Sequence, residues 1–390
     1  MAWELASFSP DLLGEAAVEG ADVEIVPPGS PVRVTHVLDA VEPRIRPDGR
    51  AAFPAKGAGE GRTNRLDGVV VLSCLDFPGE ERPLHEQESI VDLGGPGASL
   101  TPFADMTAVV LTFSPGEGGH VEVDKRARRA TLAFAEELSR PTLDAEPVEV
   151  ERFQLGPADA SLPAVAALIQ VSDLGPLYIQ YVYGVPAGEA GLPRAMDPAE
   201  VLDGAVTCGE YHWAAMRNPT WFFQRNQLVR MLYREHGQTL RFAGVVLMRG
   251  YEQSAADKQR GAERAAGVAG ELGADGVVIT TDAGGNSHTD VMLTCRACEE
   301  AGIRTTVVLA EETDPLSTKP ILTDWVREAD SIVSTGNVEE LVDAWTPARV
   351  LGGDLLLDGT PAREAGPIPV RNYLGAANQM GQLALSARTE

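Results

Sequence analysis

The sequence predicts an α/β protein of two halves, the second of which contains a doubly wound, Rossmann-like parallel sheet. Short apolar runs rich in β-branched residues alternate with helical stretches along most of the 390 residues, which is the pattern of a sheet with crossover helices. Hydrophobic residues make up 44% of the chain, enough for a large core. A chain of this length exceeds a typical single domain, so we expect more than one unit.

The first half, residues 1–207, is predicted to be mixed α/β with an irregular β-type lead-in. The lead-in, residues 20–66, is rich in Pro, Gly and charge. A helix is predicted over 123–140, and a linking stretch, 185–240, leads into the second half. Apolar runs predict buried strands at GVVVLSC (68–74), AVVLTF (108–113), ALIQV (167–171) and YIQYVYG (178–184).

The second half, residues 208–390, alternates more regularly. Apolar runs predict strands at 241–248, 274–281, 303–312 and 330–336. Helices are predicted at 257–273, 289–302 and 320–329. Thr289 or Asp290 is expected to cap the second of these helices, and Gly273 and Gly302 are expected to end the first two.

The charge and the termini narrow the class of protein. A net charge of −25 argues against binding nucleic acid or anionic lipid, since both need clustered Lys and Arg. No run approaches the ~20 apolar residues of a membrane span, and the N-terminus lacks the basic and apolar regions of a signal peptide. We therefore expect a cytoplasmic protein. In a reducing compartment its four cysteines are expected to be free thiols, catalysts or ligands.

Residues 282–288 (DAGGNSH) follow a predicted strand and precede a predicted helix. Such a loop lies at the carboxyl edge of a parallel sheet, where ligands bind in open α/β folds. Its glycines allow a ligand to approach the backbone, its polar residues offer hydrogen bonds, and the helix N-terminus favours an anion. The predicted ligand-binding residues are Gly284, Gly285, Asn286, Ser287 and His288. The alternative is an ordinary strand-to-helix turn without a ligand.

Three cysteines raise the question of thiol chemistry. His212 follows Cys208 by four residues, and an imidazole close to a thiol could accept its proton and create a nucleophile. Cys295 and Cys298 share a helix face, but they lie too far into the helix for its N-terminus to activate them. We predict Cys208, His212 and Cys295 as catalytic candidates and no metal site, with ordinary packing of the thiols as the alternative.

The run GGPGAS (94–99) is a further candidate. Its backbone N–H groups could bind a carboxylate or a phosphate, so Gly95 and Gly97 are predicted to contact the ligand. The run matches neither the P-loop nor the G-x-G-x-x-G fingerprint. The sequence therefore disfavours a free-standing nucleotide-binding enzyme.

Several runs together resemble one known family. In the first half they are PVRVTHVLDAVEPRIRPDG, VDLGGPGASLTPF, YVYGV and DPAEVLDGAV. In the second half they are QLVRMLYREHGQTLRFAGVVL, ADKQRGAERAA, ELGADGVVIT, GGNSHTDVMLTC, EEAGIRTTVVL and SIVSTGN. In this order, from about residue 30 to 355, they resemble the precursor of glycine/sarcosine/betaine reductase component B, of which this chain looks like a divergent member.

The resemblance implies a function. Members of this family belong to multi-protein reductases that cleave a C–N bond of glycine, sarcosine or betaine. The precursor is usually cut before a mid-chain cysteine, which leaves a pyruvoyl group on the downstream fragment. That carbonyl is thought to bind the substrate amine as a Schiff base while a partner subunit, often a selenoprotein, attacks the α-carbon. The fragments would correspond here to residues 1–207, alpha-type, and 208–390, beta-type.

One departure from the family pattern bears on this chemistry. An ungapped match anchored on DGAV and QRN places the family's cleavage cysteine near Ala215, seven residues after Cys208. A pyruvoyl group at Cys208 is thus possible, but loss of the group is the preferred interpretation. Cys295 falls where the family also carries a cysteine.

Two functions remain open. The first is a subunit that acts on a small amino acid or derivative with a component B gamma-like partner, by reductive C–N cleavage or a reaction diverged from it. The second is a non-catalytic scaffold that has lost the pyruvoyl site and shapes a partner's active site. Both interpretations predict a hetero-oligomer, with no nucleic acid and no membrane as partner.

Overall fold

The computed structural model describes residues 2–14, 17–48, 53, 57–76, 88–114, 120–175, 178–209, 214–282, 284–313, 322–364, 366–377 and 379–380. Mixed sheets and helices in these ranges confirm the α/β class. One of the sheets is built mainly of parallel strands. Its classification as doubly wound and Rossmann-like stays a prediction.

The strands are β1 (Trp3–Phe8), β2 (Ala21–Val26), β3 (Val32–Val34), β4 (Val37–Val41), β5 (Arg44–Ile45), β6 (Gly61–Leu66), β7 (Val69–Leu75), β8 (Val91–Asp92), β9 (Thr107–Phe113), β10 (Glu149–Phe153), β11 (Ala164–Ser172), β12 (Gln180–Val182), β13 (Val185–Pro186), β14 (Arg194–Met196), β15 (Val206–Cys208), β16 (Arg241–Gly250), β17 (Gly276–Thr280), β18 (Arg304–Glu311), β19 (Ile332–Asn337), β20 (Leu341–Val342), β21 (Arg349–Leu351) and β22 (Ile368–Pro369). The helices are α1 (His120–Leu138), α2 (Pro198–Glu200), α3 (Thr220–Gln224), α4 (Gln227–Glu235), α5 (Ala255–Glu271) and α6 (Asn286–Glu300).

The largest sheet has six strands in the order β14-β16-β11-β17-β18-β19. All neighbours are parallel except β14, which lies antiparallel at the edge. The two crossover helices α5 and α6 cover one face through an apolar layer, and α4 packs against β11 and β16 on the other face. Burial on both faces explains why the four inner strands, β16, β11, β17 and β18, contain nearly continuous apolar runs.

The first part of the chain forms two further four-stranded sheets. One has the order β2-β9-β7-β4, and α1 packs against it. The other has the order β10-β1-β6-β5. A small sheet, β13-β12-β15, follows β11 in the sequence and carries Gln180 and Cys208 opposite each other on adjacent strands.

The division at residues 207 and 208 does not separate the sheets. Strands β11 and β14 precede residue 208 but belong to the six-stranded sheet. The predicted cut itself falls inside β15. Parallel pairing joins strands that are distant in sequence, so no local change in composition marks where this sheet begins. The two-half organisation therefore stays a prediction.

Two predicted helices need correction. Helix α6 begins at Asn286, three residues before Thr289, because Gly285 takes a positive φ of 60° and turns the chain directly into the helix. Residues 322–329 are not helical. There the Asp324 carboxylate accepts a hydrogen bond from the backbone N–H of Trp325, a local contact that competes with helix formation. Residues 320 and 321 lie outside the described ranges.

Within the described part of the chain, no helix combines the length and the apolarity needed to cross a bilayer. The cytoplasmic location stays a prediction.

Candidate functional site

The carboxyl ends of four parallel strands place a group of polar side chains at one edge of the six-stranded sheet. β11 ends at Ser172, β16 at Gly250, β17 at Thr280 and β18 at Glu311. In open α/β sheets this edge is where ligands bind. The residues just beyond these ends therefore form the candidate site.

Asp282, two residues after β17, is the centre of a buried hydrogen-bonded group. Tyr178 donates from its hydroxyl to Oδ2 at 2.5 Å. Asn218 donates to Oδ1 from its side chain at 2.8 Å and from its backbone N–H at 3.1 Å. Gln180 donates to the same oxygen at 3.3 Å. All four side chains are buried, and we call them the Asp282 cluster.

The donors of the Asp282 cluster are neutral, and this sets the protonation of the carboxyl group. Burial raises the pKa of Asp282 to about 6, although hydrogen bonds from Tyr178 and Asn218 act in the opposite direction. Burial, followed by the charge of Asp282, raises the pKa of Tyr178. A carboxyl group with a pKa near neutrality can hold or release a proton at physiological pH.

The first turn of α6 lies next to this cluster. The backbone N–H of Gly285 donates to Oε1 of Glu312 at 3.2 Å. A Cβ atom on Gly284 would lie 2.3 Å from the same oxygen, so glycine at this position makes room for the carboxylate. Tyr251, just beyond β16, donates to the carbonyl oxygen of Gly284 at 3.3 Å.

His288, also in this turn, is fully buried, yet neither ring nitrogen has a hydrogen-bond partner among the described residues. Its Nδ1 lies 3.6 Å from Oε1 of Glu312. Burial lowers the pKa of His288, while the charge of Glu312 acts in the opposite direction. A buried polar group without a partner costs free energy, so it calls for an explanation such as a water, an ion or a bound ligand.

Asn286 and Ser287 are the two remaining residues of this run that the sequence predicts as ligand contacts. Asn286 and Ser287 lie in the first turn of α6 rather than in a loop. Ser287 donates to the carbonyl oxygen of Gly284 at 3.0 Å, and Lys258 donates to the carbonyl oxygen of Asn286 at 3.3 Å. The Ser287 side chain and the Asn286 carbonyl group thus stabilise the turn through these hydrogen bonds. The role of Asn286 and Ser287 as ligand contacts stays a prediction.

Cys208 lies in the same region but is enclosed. Its thiol is buried in a small apolar group with Tyr178 and Tyr251, and burial raises its pKa. Its backbone N–H donates to the Thr220 hydroxyl at 2.8 Å. His212, the predicted proton acceptor, lies outside the described residues, so the Cys208–His212 pair stays a prediction.

Cys295 and Cys298 lie within α6, on the face that packs against the sheet. Cys295 is nine residues after the start of the helix at Asn286, which corresponds to roughly 13 Å along its axis. Its Sγ lies 3.1 Å from the Thr305 hydroxyl, and burial raises the pKa of both thiols. The structure thus does not bring Cys295 to the sheet edge, and its catalytic role stays a prediction.

Gly95 and Gly97 meet side chains of their own chain. A Cβ on Gly95 would lie 2.4 Å from the Trp345 ring, and a Cβ on Gly97 would lie 2.5 Å from a carboxylate oxygen of Asp92. The glycines therefore allow close packing at these positions. The space beside each glycine is filled by a side chain of the protein itself. The role of Gly95 and Gly97 as ligand contacts stays a prediction.

Sequence reasoning missed Asp282, Tyr178, Asn218 and Glu312 as site residues. One signal was available, because Asp282 directly follows one predicted strand and Glu312 is the last residue of another, and the carboxyl ends of parallel strands lie at the edge where ligands bind. Nothing local marks Tyr178 or Asn218, which reach Asp282 from 104 and 64 residues away.

Comparison with known proteins gives the family. The model of the glycine/sarcosine/betaine reductase component B subunits matches residues 8–367. The chain belongs to this family.

Relatives from three kinds of complex align with most of the chain. The sarcosine reductase complex component B subunit alpha of Peptoclostridium acidaminophilum is 32% identical over 82% of this chain and 76% of its own length. The betaine reductase complex component B subunit alpha of the same organism is 34% identical over 86% and 78%. The glycine reductase complex component B subunits alpha and beta of Acetoanaerobium sticklandii are 30% identical over 97% and 92%.

The pyruvoyl group implied by the family resemblance does not fit the described residues. Ala215 is buried and carries only a methyl group, so it has no heteroatom to eliminate. To be processed, Cys208 would have to attack the carbonyl carbon of Thr207, but its Sγ instead donates to the carbonyl oxygen of Gly209 at 3.7 Å. Burial also disfavours its thiolate, which is the nucleophilic form.

Proposed function

We propose that this chain is a subunit of a reductase complex that acts on a small amino acid or derivative, and that it works uncut and without a pyruvoyl group. The reaction is reductive C–N cleavage or one diverged from it, and the partner is a component B gamma-like subunit. The observation that carries the proposal is the Asp282 cluster beside the first turn of α6, at the binding edge of a component B family chain.

The charges at this edge suit a zwitterion. A helix N-terminus attracts a carboxylate, and the ionised carboxyl group of Asp282 attracts an ammonium group. Asp282, with its pKa near 6, can also exchange a proton with a leaving amine. In this proposal the chain binds and orients the substrate, and the partner subunit supplies the attacking group.

The lack of a fitting pyruvoyl site is compatible with an amino-acid-type substrate. A carbonyl forms a Schiff base only with an amine that carries N–H bonds. A quaternary ammonium such as betaine carries none, so its C–N bond would have to be activated in another way. Close positioning and electrostatics are the remaining sources of rate enhancement.

The first test is a denaturing intact-mass spectrum of the purified chain. We expect a single species near 41.4 kDa. Two fragments that meet between residues 207 and 208, with a hydrazine-reactive carbonyl on the downstream one, would overturn the pyruvoyl-free proposal. Co-purification with a gamma-like subunit, followed by assay of glycine, sarcosine and betaine consumption, then tests the reductase role itself.

A scaffold function is the second candidate, and one observation favours it. Both carboxylate oxygens of Asp282 are already bound by side chains of this chain. If the chain is a scaffold, Asp282→Asn will leave the turnover of the assembled complex unchanged. If the chain is catalytic, the same substitution will lower kcat without dissociating the complex, as size-exclusion chromatography can show.

A further inference from the structure

The Glu312 carboxylate lies where the first turn of α6 would receive an anion. Its Oε1 accepts from the backbone N–H of Gly285 at 3.2 Å. The missing Cβ of Gly284 leaves space for that oxygen, since a Cβ there would lie 2.3 Å from it. The turn therefore already binds a carboxylate, and this carboxylate comes from the protein itself.

His288 provides independent support for a ligand at this place. It is fully buried, its two ring nitrogens lack hydrogen-bond partners among the described residues, and Nδ1 lies 3.6 Å from Oε1 of Glu312. That separation is too long for a hydrogen bond. A carboxylate placed slightly deeper than that of Glu312 could be bound by the ring and by the helix terminus together.

The Glu312 carboxylate is bound in this turn by weak contacts. Besides Gly285, its described hydrogen-bond donor is the Thr323 hydroxyl, at 3.4 Å from Oε2. No Lys or Arg among the described residues forms an ion pair with it. The side chain is 17% exposed to solvent, so it has a route away from the turn. An incoming carboxylate would thus displace two long hydrogen bonds.

We propose that Gly284, Gly285 and His288 form the pocket for the carboxylate of the substrate, and that Glu312 is an internal carboxylate that competes for this pocket. The choice of an amino-acid-type ligand rests on the proposed function. The competition sets the affinity, because a substrate carboxylate binds only when Glu312 leaves. The cationic end of the substrate then points towards Asp282 and Tyr178.

The test measures binding of acetate to the full-length chain by isothermal titration calorimetry, at constant ionic strength. Acetate carries a carboxylate and no cation, so it reports on the pocket alone. In Glu312→Gln the competing charge is gone, and we expect acetate to bind roughly tenfold more tightly. Glu300→Gln, an exposed change in the last turn of the same helix, is the matched control and should leave the affinity unchanged.

Tetramethylammonium separates this proposal from the opposite one. If Glu312 served to bind the substrate cation, Glu312→Gln would weaken tetramethylammonium binding and leave acetate binding unchanged. That result overturns the proposal, and so does weaker acetate binding in Glu312→Gln. Glu312→Asp, which withdraws the charge by one methylene group, should give an intermediate gain and serves if the Gln variant does not fold.

A Cβ placed in the pocket provides the complementary test. Adding Gly284→Ala to Glu312→Gln should abolish the gain in acetate affinity, because the Cβ occupies the position of the bound oxygen. Unchanged acetate binding in the double variant would place the anion elsewhere. These experiments use the isolated chain, so their failure would leave the reductase role untouched, and failure to form a complex would leave the acetate result intact.

Discussion

Glu42 and Asp282 are both fully buried carboxylic acids, but their surroundings differ in charge. Glu42 lies between the guanidinium groups of Arg44 and Arg225. Burial alone would raise its pKa, but the arginine charges outweigh this effect and hold the pKa at about 2. Asp282 meets neutral donors, so the effect of burial prevails and its pKa rises to about 6.

The two carboxyl groups differ in what they are suited to do, one as a structural link and the other as part of the candidate site. Arg44 also donates to the carbonyl oxygens of Leu202 and Gln224, so the Glu42 pair ties β5 to the segments around α2 and α3. A permanently ionised pair suits such a fixed link. Asp282 has a pKa of about 6, and the chain just after it leads into the helix turn that carries His288, whose ring nitrogens lack hydrogen-bond partners among the described residues. Groups with strongly shifted pKa values are typical of sites that bind a ligand.

The largest effect is expected when the structural site is broken. Glu42→Gln removes the carboxylate that pairs with the buried Arg44 and leaves Arg225 with Asp67 as its remaining ion-pair partner. We expect the free energy of unfolding to fall by about 3–5 kcal/mol. Urea denaturation followed by fluorescence measures this loss. Acetate affinity in the folded variant should be unchanged, because Glu42 does not contact the candidate pocket.

A surface glutamate with two arginine partners is the matched control. Glu4 pairs with Arg62 and Arg152, and both arginines are largely exposed. Solvent screens such pairs, so Glu4→Gln should cost no more than about 1 kcal/mol. Equal losses for the two variants would contradict the structural role assigned to Glu42.

The second effect concerns pH and Asp282. Its pKa is raised from 3.8 to about 6 in the folded chain, so folding favours the protonated form. The stability that this group contributes is therefore complete below about pH 4 and is lost as pH rises through 6. Relative to Asp282→Asn, the wild-type chain should lose up to about 3 kcal/mol between pH 4 and pH 7. A difference between the two proteins that does not vary with pH in urea titrations would refute this assignment.

A smaller effect is expected from the hydroxyl group of Tyr178. Tyr178→Phe removes the 2.5 Å hydrogen bond to Asp282, which leaves a buried carboxylate short of a donor and should cost about 1–3 kcal/mol at pH 7. Tyr251→Phe removes a 3.3 Å hydrogen bond to the carbonyl oxygen of Gly284 and should cost about 0.5–1.5 kcal/mol. Thermal or urea unfolding measures both losses of stability. A larger loss for Tyr251→Phe than for Tyr178→Phe would show that the Tyr178 hydroxyl does not stabilise the Asp282 carboxylate.

Most elements of the six-stranded sheet could be predicted from the local sequence. The strands predicted at 241–248, 274–281 and 303–312 are present, because burial on both sheet faces demands continuous apolar runs. The helix predicted over 257–273 is present with Gly273 at positive φ just beyond it. These features depend on local sequence, so a local pattern reveals them.

The composition of that sheet and the contacts of Asp282 depend on residues that are far apart in the sequence. No local pattern shows that β11 joins the sheet of the second half, or that Tyr178 donates to a carboxylate 104 residues further on. The early start of α6 depends on the backbone conformation of Gly285, which a glycine permits but does not require. The run 282–288 follows the carboxyl end of β17, as its position after an apolar run predicts, whereas the donors to Asp282 come from distant segments that no local pattern marks.

The last prediction concerns the four thiols and has no expected effect on stability. All four cysteines are buried, and burial raises the pKa of each, to about 12 for Cys74 and Cys298. Since the thiolate is the reactive form, iodoacetamide at pH 7.5 (roughly physiological) should label none of them in the folded chain, and all four in urea. Intact-mass spectrometry counts the labels. Rapid single labelling at Cys208 in the folded chain would instead mean that its thiol is accessible and activated. Cys208 would then belong to the candidate site together with Asp282, and would not be a packing residue beside it.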